Sequence, residues 1–424
     1  MELFTILVAG IASLLLGRIL LKRWFNHLTV YSFFWTASLA CYTLRLIEYY
    51  NISPEAWFYI GISWFMLYLG TFVVIWARSL RGQADDTAEH EQKSKYHFSR
   101  DTRFLSKTII ILSILSSITI IYQFLLLIRT FGSIAEALIQ ANLIYGLRVS
   151  GELSGIPYLG SFPLAATCLA GIYTALRKKI TFLSILPFVL AGVHGILVMG
   201  RWDLVISVYL FLTTLLYTPH ERFIKRKTII AFLLVAILVL GMFTLISSAR
   251  QLKVHFRYES QRMKLVRSST LFLPSLYFYF SAPPVAFSEY LYTGEEKFYP
   301  GSYTFKSVYN ILAKFDLADP LPLFNPWIST PESINAGTYL REIHADFGPL
   351  GVIIFPYVLG IILTVLYLKI SHRPTTIWIV LFAHLFVVIF HSWSVNVMKH
   401  GQWVVSIVIC LIVAWKLDSI AKEP

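Results

Sequence analysis

The chain has 424 residues, of which 57% are hydrophobic and 14% are charged. A typical soluble domain has about 25% charged residues and covers its surface with polar side chains, so the composition excludes a soluble globular protein. The 16% of aromatic residues exclude a disordered chain, and a total of three cysteines excludes a disulfide-rich scaffold. The formal net charge is +13. In a membrane protein such an excess of Lys and Arg usually lies in the cytoplasmic loops, so no nucleic-acid partner is expected.

Long hydrophobic runs recur along the whole chain. A run of about 20 apolar residues is long enough to cross a bilayer as a helix. About eleven such spans are predicted, at 2–21, 28–47, 57–77, 105–128, 157–176, 180–199, 203–218, 229–248, 349–369, 374–392 and 400–416. The first run has no basic segment before it and is expected to be a retained span. The predicted fold class is therefore an all-α, polytopic integral membrane protein.

Basic residues concentrate in alternate connections between these runs. Lys22 and Arg23 follow the first run, whereas Glu48 and Glu55 lie between the second and the third. The segment 78–104 is rich in charge and is predicted to be a flexible cytoplasmic linker. Because short cytoplasmic connections carry the excess of Lys and Arg, the N-terminus is expected outside and the C-terminus in the cytoplasm.

The predicted spans divide the chain into three regions: eight spans in 1–248, a large outer loop in 249–348, and three spans in 349–424. The loop begins with six clustered cations: Arg250, Lys253, Arg257, Arg262, Lys264 and Arg267. Close cations repel one another, so a bound anion is expected to neutralise them. A diphosphate is one candidate for this anion, and anionic lipid headgroups are the other.

An aromatic stretch follows the cations in the same loop. Tyr277 and Tyr279 are candidates for binding sugar rings on their aromatic faces. The pair Pro283-Pro284 is predicted to interrupt any single helix here, because proline removes a backbone hydrogen bond. Amphipathic helices lying in the outer interface are therefore expected.

Several motifs are absent from the sequence. There is no nucleotide-binding phosphate loop, no G-x-G-x-x-G and no H-E-x-x-H, so no cofactor is expected. The histidines and cysteines are not at metal-ligand spacing, so no metal site is predicted. Cys41, Cys168 and Cys410 lie inside apolar runs and are expected to be buried free thiols. His194 and His384 lie within predicted spans and are expected to be neutral core residues.

Isolated arginines on the outer side are candidates for binding a diphosphate, because the guanidinium group donates two hydrogen bonds at once. Arg201 lies in a tight turn, Arg250 follows the eighth span, and Arg148 lies in an earlier outer connection. The alternative is a structural role at helix ends, with Arg201 paired to Asp203 and Arg148 paired to Glu152.

The segment that leads into the ninth span carries a second set of candidates. On a helix, Arg341 and His344 share one face, and Glu342 and Asp346 share the neighbouring face. His344 is the candidate general base for an acceptor hydroxyl, since histidine titrates near neutral pH. Asp346 either does the same or orients His344. The alternative is that Asp346 caps the ninth span.

A pattern in this segment resembles a known family. T-Y-(x)6-D-F-G-x-x-G runs from Thr338 to Gly351 directly before a span. Together with Gly200-Arg201, with Arg250 after the eighth span, and with the single large outer loop, it resembles the bacterial oligosaccharide repeat unit polymerases of the Wzy type. These enzymes build O-antigen, capsule and exopolysaccharide. The resemblance covers most of the chain.

The sequence departs from the family in one pattern. Some members have R-x(10)-G in two outer loops, whereas here eleven residues separate Arg148 from Gly160 and nine separate Arg341 from Gly351. Arg148 and Arg341 therefore match this pattern only in residue type and not in spacing.

The resemblance implies a GT-C-like architecture and an inverting glycosyl transfer at the outer face of the bacterial cytoplasmic membrane. The substrate would be an oligosaccharide linked to undecaprenyl diphosphate, with membrane lipids and a chain-length regulator as further partners. Arg201 and Arg250 would bind the diphosphate, supported by Arg148, Arg341 and Arg257.

Tyr339 joins the two tyrosines of the aromatic stretch as a sugar-binding candidate. An O-antigen ligase is the alternative enzyme, since it shares the architecture. A non-enzymatic polysaccharide or lipid transporter is the alternative from another class.

Overall fold

The computed structural model describes the following residues of the chain: 2–80, 101–150, 152–153, 158–200, 202–219, 241, 259–269, 273–294, 300–319, 321 and 325–420. Three of the predicted diphosphate-binding residues, Arg201, Arg250 and Arg257, lie outside these ranges. The predicted eighth span, at 229–248, also lies outside them apart from Gly241.

Helices form nearly all of the regular structure in the described ranges, as the composition and the apolar runs predict. Their bounds are Glu2–Leu21, His27–Thr43, Pro54–Leu80, Thr102–Phe131, Ile134–Ile139, Ala141–Ser150, Ser161–Arg177, Phe182–Leu197, Trp202–Tyr217, Gln261–Ser269, Leu273–Thr293, Lys306–Ala313, Thr338–His372, Thr376–His391 and Gly401–Ile420. A short antiparallel sheet pairs Ile328–Ser329 with Ser333–Ile334. Each predicted span that falls within the described ranges coincides with a helix, and the all-α prediction is confirmed.

Five of these helices are long and apolar enough to cross a membrane: Glu2–Leu21, Pro54–Leu80, Thr102–Phe131, Thr338–His372 and Gly401–Ile420. Shorter apolar helices accompany them: Phe182–Leu197, Trp202–Tyr217 and Thr376–His391. Large apolar side chains such as Phe4 and Ile111 are exposed on the long helices, as expected where lipid is the solvent. These features are those of an all-α membrane protein. The span count of eleven and the orientation stay predictions.

The described residues fall into two units. The first unit lies within Met1–Glu89, Lys253–Tyr367 and Val388–His400, and the second within His90–Leu252, Leu368–Val387 and Gly401–Pro424.

Two glycines bring helices of the first unit into close contact. A Cβ atom on Gly70 would lie 2.2 Å from the carbonyl oxygen of Tyr357, and one on Gly360 would lie 2.4 Å from the carbonyl oxygen of Leu67. Small residues at such positions let the backbones of neighbouring helices approach in a membrane, where van der Waals contact is a main source of stability. We call this contact the glycine pair.

Replacing Gly70 with Leu is expected to destabilise the protein by about 1–3 kcal/mol, because the helix backbones must separate to make room for the side chain. Thermal unfolding in detergent measures the effect as a lower Tm. The matched control is Gly61→Leu in the same helix, where a Cβ meets no atom of the described residues within 4 Å. Equal Tm values for the two variants would contradict the close contact.

The Leu273–Thr293 helix, which we call the aromatic helix, corrects one prediction. It continues through Pro283 and Pro284, which the sequence predicted to interrupt it. Pro284 leaves the carbonyl group of Phe280 without its usual helical donor, and the Ser38 hydroxyl donates to that carbonyl instead at 2.6 Å. A side chain from another helix thus replaces the hydrogen bond that proline removes, a rescue that is known in membrane helices.

Helices of the second unit pack around the Ser161–Arg177 helix, which is buried along most of its length. A Cβ atom on Gly171 would lie 2.0 Å from the Thr214 hydroxyl oxygen, so the Trp202–Tyr217 helix packs directly against this backbone. The same hydroxyl donates to the Cys168 carbonyl at 2.9 Å. Small residues and a polar contact thus join these two helices.

The Thr338–His372 helix is two helical segments that meet at Gly348. The Gly348 backbone has φ +63° and ψ −159°, a conformation that is essentially restricted to glycine. We call residues 338–347, before this kink, the charged segment. A Cβ on Gly351 would lie 2.9 Å from the Ile343 carbonyl oxygen, so the second glycine of the D-F-G-x-x-G pattern lies against the charged segment.

Candidate functional site

The start of the charged segment is fixed in the first unit by backbone contacts. The Thr338 amide donates to the Ser394 carbonyl and the Tyr339 amide donates to the Ser392 carbonyl, each at 2.9 Å. These bonds satisfy amide groups that the first turn of a helix leaves without partners. The Tyr339 ring is fully buried, and its hydroxyl lies 3.2 Å from that of Tyr31.

Arg341 and His344 both contact Tyr290 of the aromatic helix. The buried Arg341 guanidinium group donates to the Pro326 carbonyl at 3.0 Å and lies 5.9 Å above the Tyr290 ring. The Tyr290 hydroxyl lies 3.1 Å from Nδ1 of the half-buried His344. The predicted sharing of one helix face by Arg341 and His344 is confirmed, since both side chains contact one tyrosine.

Glu342 has a different set of partners, and only 1% of the residue is exposed. Its Oε1 accepts from the Asn325 side-chain amide at 2.7 Å and forms an ion pair with Lys399, and its Oε2 accepts from the Asn396 backbone amide at 2.6 Å. A buried carboxylate needs such partners, because transfer out of water is costly for an unpaired charge. Glu342 therefore connects the charged segment to two other segments, one at Asn325 and one at Asn396 and Lys399.

Asp346 binds backbone amides of the turn that precedes the Lys306–Ala313 helix. Its two carboxylate oxygens accept from the Tyr303 amide at 2.8 Å and from the Thr304 amide at 2.6 Å. Asp346 thus caps this turn, whereas the structural alternative from the sequence was a cap on the ninth span. The Asn396 side chain donates to the Thr304 hydroxyl at 3.4 Å, which joins the contacts of Asp346 to those of Glu342.

Further basic groups lie around this network. Burial and the neighbouring charge of Lys399 lower the pKa of Lys306 to about 8. His400, the first residue of the predicted span 400–416, lies near the charges of Lys399 and Lys306. We call Arg341, Glu342 and Asp346, together with Lys306, Lys399 and His400, the charged network.

Sequence reasoning missed several members of this site: Tyr290, Lys306, Asn325, Asn396 and His400. They come from segments far apart in the chain and no spacing pattern joins them. Tyr290 lies in the same aromatic stretch as Tyr277 and Tyr279, but its contact with His344 depends on how the helices pack.

The second unit contains a separate polar group. The half-buried Arg148 donates from Nη1 to the Val198 carbonyl, in the turn that leads to Gly200. His194 Nδ1 lies 2.8 Å from the Asp203 carboxylate, and both side chains are buried. Asp203 is therefore hydrogen-bonded to His194. The sequence had offered Arg201 as the partner of Asp203. The structure thus places Arg148 next to Gly200.

The predicted sugar-binding tyrosines have structural contacts. The Tyr277 hydroxyl donates to the Cys41 carbonyl at 2.6 Å and accepts from the Leu46 amide at 3.0 Å. Tyr279 is half-buried and Tyr339 is in the core. These contacts do not test sugar binding, which stays a prediction for the three rings.

Exposed aromatic rings lie instead along a groove in the first unit. A cavity of about 530 Å³ is lined by Tyr50, Glu289, Tyr292, Thr293, Trp327, Ile328 and Ser329. Tyr292 is 88% exposed and Trp327 is 55% exposed. Large exposed rings beside carboxylate and hydroxyl groups provide flat apolar faces and hydrogen-bond partners together. We call this feature the aromatic groove.

The arrangement provides the chemical parts of a group transfer. A half-buried histidine has one ring nitrogen held by a tyrosine hydroxyl, buried cations lie in the same unit, and a polar aromatic groove begins next to Pro326. Comparisons with protein-family models, with curated proteins and with solved structures gave no significant match.

Proposed function

We propose that the chain is a membrane glycosyltransferase that polymerises oligosaccharide repeat units linked to undecaprenyl diphosphate, at the outer face of the bacterial cytoplasmic membrane. The observation that carries the proposal is the contact of Arg341 and His344 with Tyr290. It brings a candidate base and a buried cation together on one helical segment. A reaction that forms an anionic leaving group needs both, the base to accept a proton and the cation to stabilise the developing negative charge.

In this mechanism His344 acts as the general base. The mechanism requires the tautomer in which Nδ1–H donates to the Tyr290 hydroxyl, because only then does Nε2 have a lone pair for the proton of an acceptor sugar hydroxyl. The hydroxyl oxygen then attacks the anomeric carbon of the donor glycan and inverts its configuration. The bond from that carbon to the diphosphate oxygen breaks, and the electron pair leaves with the diphosphate.

Positive charge assists the departure of the diphosphate. Arg341 is fully buried, so in this proposal it acts through its field and by positioning Tyr290. As the family resemblance implies, direct contact with the diphosphate is proposed for Arg201, Arg250 and Arg257, with Arg148 as a further candidate. Fixed cations stabilise charge best where it develops in the transition state, because they need no rearrangement during the reaction.

The aromatic groove is the proposed binding place for the acceptor sugars. Aromatic faces bind the apolar faces of sugar rings, and the Glu289 carboxylate and Thr293 hydroxyl would accept or donate hydrogen bonds to sugar hydroxyls. The groove and the charged network belong to the same unit, and Tyr290 lies next to Glu289 in the chain.

One observation favours a second candidate, a transporter. The buried pair His194–Asp203 lies between apolar helices, and such pairs form proton relays in membrane carriers. A transporter would move the lipid-linked glycan without making a glycosidic bond.

Reconstitution separates these functions. Purified protein in liposomes, given lipid-linked repeat units labelled in the sugar, is expected to yield a ladder of longer glycans on undecaprenyl diphosphate and to release the free carrier diphosphate. Transfer of preformed polymer to lipid A core, with no ladder, would indicate a ligase. Movement of labelled lipid across the bilayer with no new bond would indicate a transporter, and either result would overturn the polymerase proposal.

A further inference from the structure

Three helices of the second unit bring together two cysteines and a histidine. Cys168 lies on the Ser161–Arg177 helix, His384 on the Thr376–His391 helix and Cys410 on the Gly401–Ile420 helix. The two sulfur atoms and one nitrogen of the His384 ring all lie within 4.8 Å of one another. All three side chains are completely buried. Sequence spacing missed this group because each member comes from a different helix.

Hydrogen bonds fix the orientation of the His384 ring. Nδ1 lies 2.9 Å from the Val380 carbonyl oxygen, and since a carbonyl oxygen only accepts, Nδ1 carries the proton. Nε2 therefore has the lone pair, and it lies 3.2 Å from the Ser406 hydroxyl oxygen. A metal-bound histidine is commonly held by a backbone carbonyl through its other nitrogen, which sets the tautomer and the ring direction.

We propose that Cys168, His384 and Cys410 bind a Zn²⁺ ion, with the Ser406 hydroxyl as the fourth ligand. Two thiolates, one imidazole and one oxygen form a tetrahedral set that zinc accepts in proteins. Binding releases the two thiol protons, and the two thiolate charges cancel the charge of the ion. The site is then neutral, which matters because a net charge buried among apolar helices is costly.

The charge balance distinguishes zinc from a monovalent metal. Cu⁺ also prefers thiolates, but with two of them it would leave a buried negative charge at the site. Zinc–sulfur distances of about 2.3 Å and zinc–nitrogen distances of about 2.0 Å place the ligand atoms within about 4 Å of one another, so only small side-chain movements are needed. The ion would join three helices of the second unit and stabilise their packing.

The experiment measures zinc in protein purified in detergent without chelators. Elemental analysis is expected to find about one Zn²⁺ per chain in the wild type and a loss of most of it in Cys168→Ser, Cys410→Ser and His384→Ala. Cys41→Ser is the matched control, because Cys41 belongs to the first unit and should leave the zinc content unchanged. Equal zinc in wild type and in Cys168→Ser, or none in the wild type after growth with added zinc, would overturn the proposal.

Three further measurements extend the test, and two of them, the cobalt spectrum and the mass spectrometry, use the wild type alone and so do not depend on whether a variant folds. Replacement of zinc by Co²⁺ in the wild type is expected to give the intense near-ultraviolet absorption of thiolate–cobalt bonds, and its absence would contradict the cysteine ligands. A strong chelator is expected to lower the Tm of the wild type but not that of Cys168→Ser. Mass spectrometry that finds a Cys168–Cys410 disulfide in the freshly purified protein would overturn the site. None of these readouts requires glycan polymerisation.

Discussion

Replacing His344 with Ala is expected to lower the rate of glycan polymerisation by a factor of about 10²–10⁴, which is the usual contribution of a positioned general base. The loss should appear in kcat, because the proposed proton transfer occurs after the substrates have bound. The measurement is the reconstituted ladder assay with labelled lipid-linked repeat units, in which His344→Ala should leave the glycans at a single unit.

Two companion variants sharpen the result. Tyr290→Phe removes the hydroxyl group that lies 3.1 Å from His344 Nδ1, so it should lower kcat less than His344→Ala and change the pH profile of the reaction. His372→Ala, at the far end of the same helix, is the matched control and should polymerise normally. Long glycans from His344→Ala at the wild-type rate would exclude His344 as the base.

Replacing Lys399 with Met is expected to destabilise the protein by about 3–5 kcal/mol, because Glu342 would stay buried without its ion partner. The effect is large since the Glu342 side chain is 1% exposed and that of Lys399 is 10% exposed, so water cannot take the place of the ammonium group. Thermal unfolding in detergent measures the loss, and Lys314→Met, at an exposed lysine, is the control.

A double-mutant cycle isolates the pair. Glu342→Gln combined with Lys399→Met leaves no buried charge at this position, and the Gln side chain keeps an oxygen that can accept from the Asn396 amide. The double variant should therefore be more stable than the sum of the two single losses predicts, by about 1–3 kcal/mol. Additive losses would show that the ion pair is not coupled in the folded protein.

The all-α fold could be predicted from the sequence because an apolar run of helical length has few alternatives in a membrane. The shared face of Arg341 and His344 could be predicted for a similar local reason, since residues three apart on a helix are neighbours. Both predictions depend on the chain near the residues concerned and need no knowledge of packing.

The rest depends on packing between distant segments. The aromatic helix continues through its proline pair because Ser38, far away in the chain, supplies the missing donor. Asp346 caps the turn at Tyr303 and Thr304, and a sequence contains no sign of which backbone amides a carboxylate will bind. The partners of Glu342 and the meeting of Cys168 with Cys410 were missed for the same reason.

The kink at Gly348 has a consequence for how the protein behaves in different lipids. A membrane-spanning helix changes its tilt when the thickness of the bilayer changes. Gly348 lets the backbone change direction between the apolar helix and the charged segment, while Glu342 and Asp346 hold the charged segment to residues 303–304 and 396. We therefore expect the rate of the proposed reaction to depend little on bilayer thickness, because these hydrogen bonds keep His344 beside Tyr290 when the apolar helix changes its tilt at the glycine.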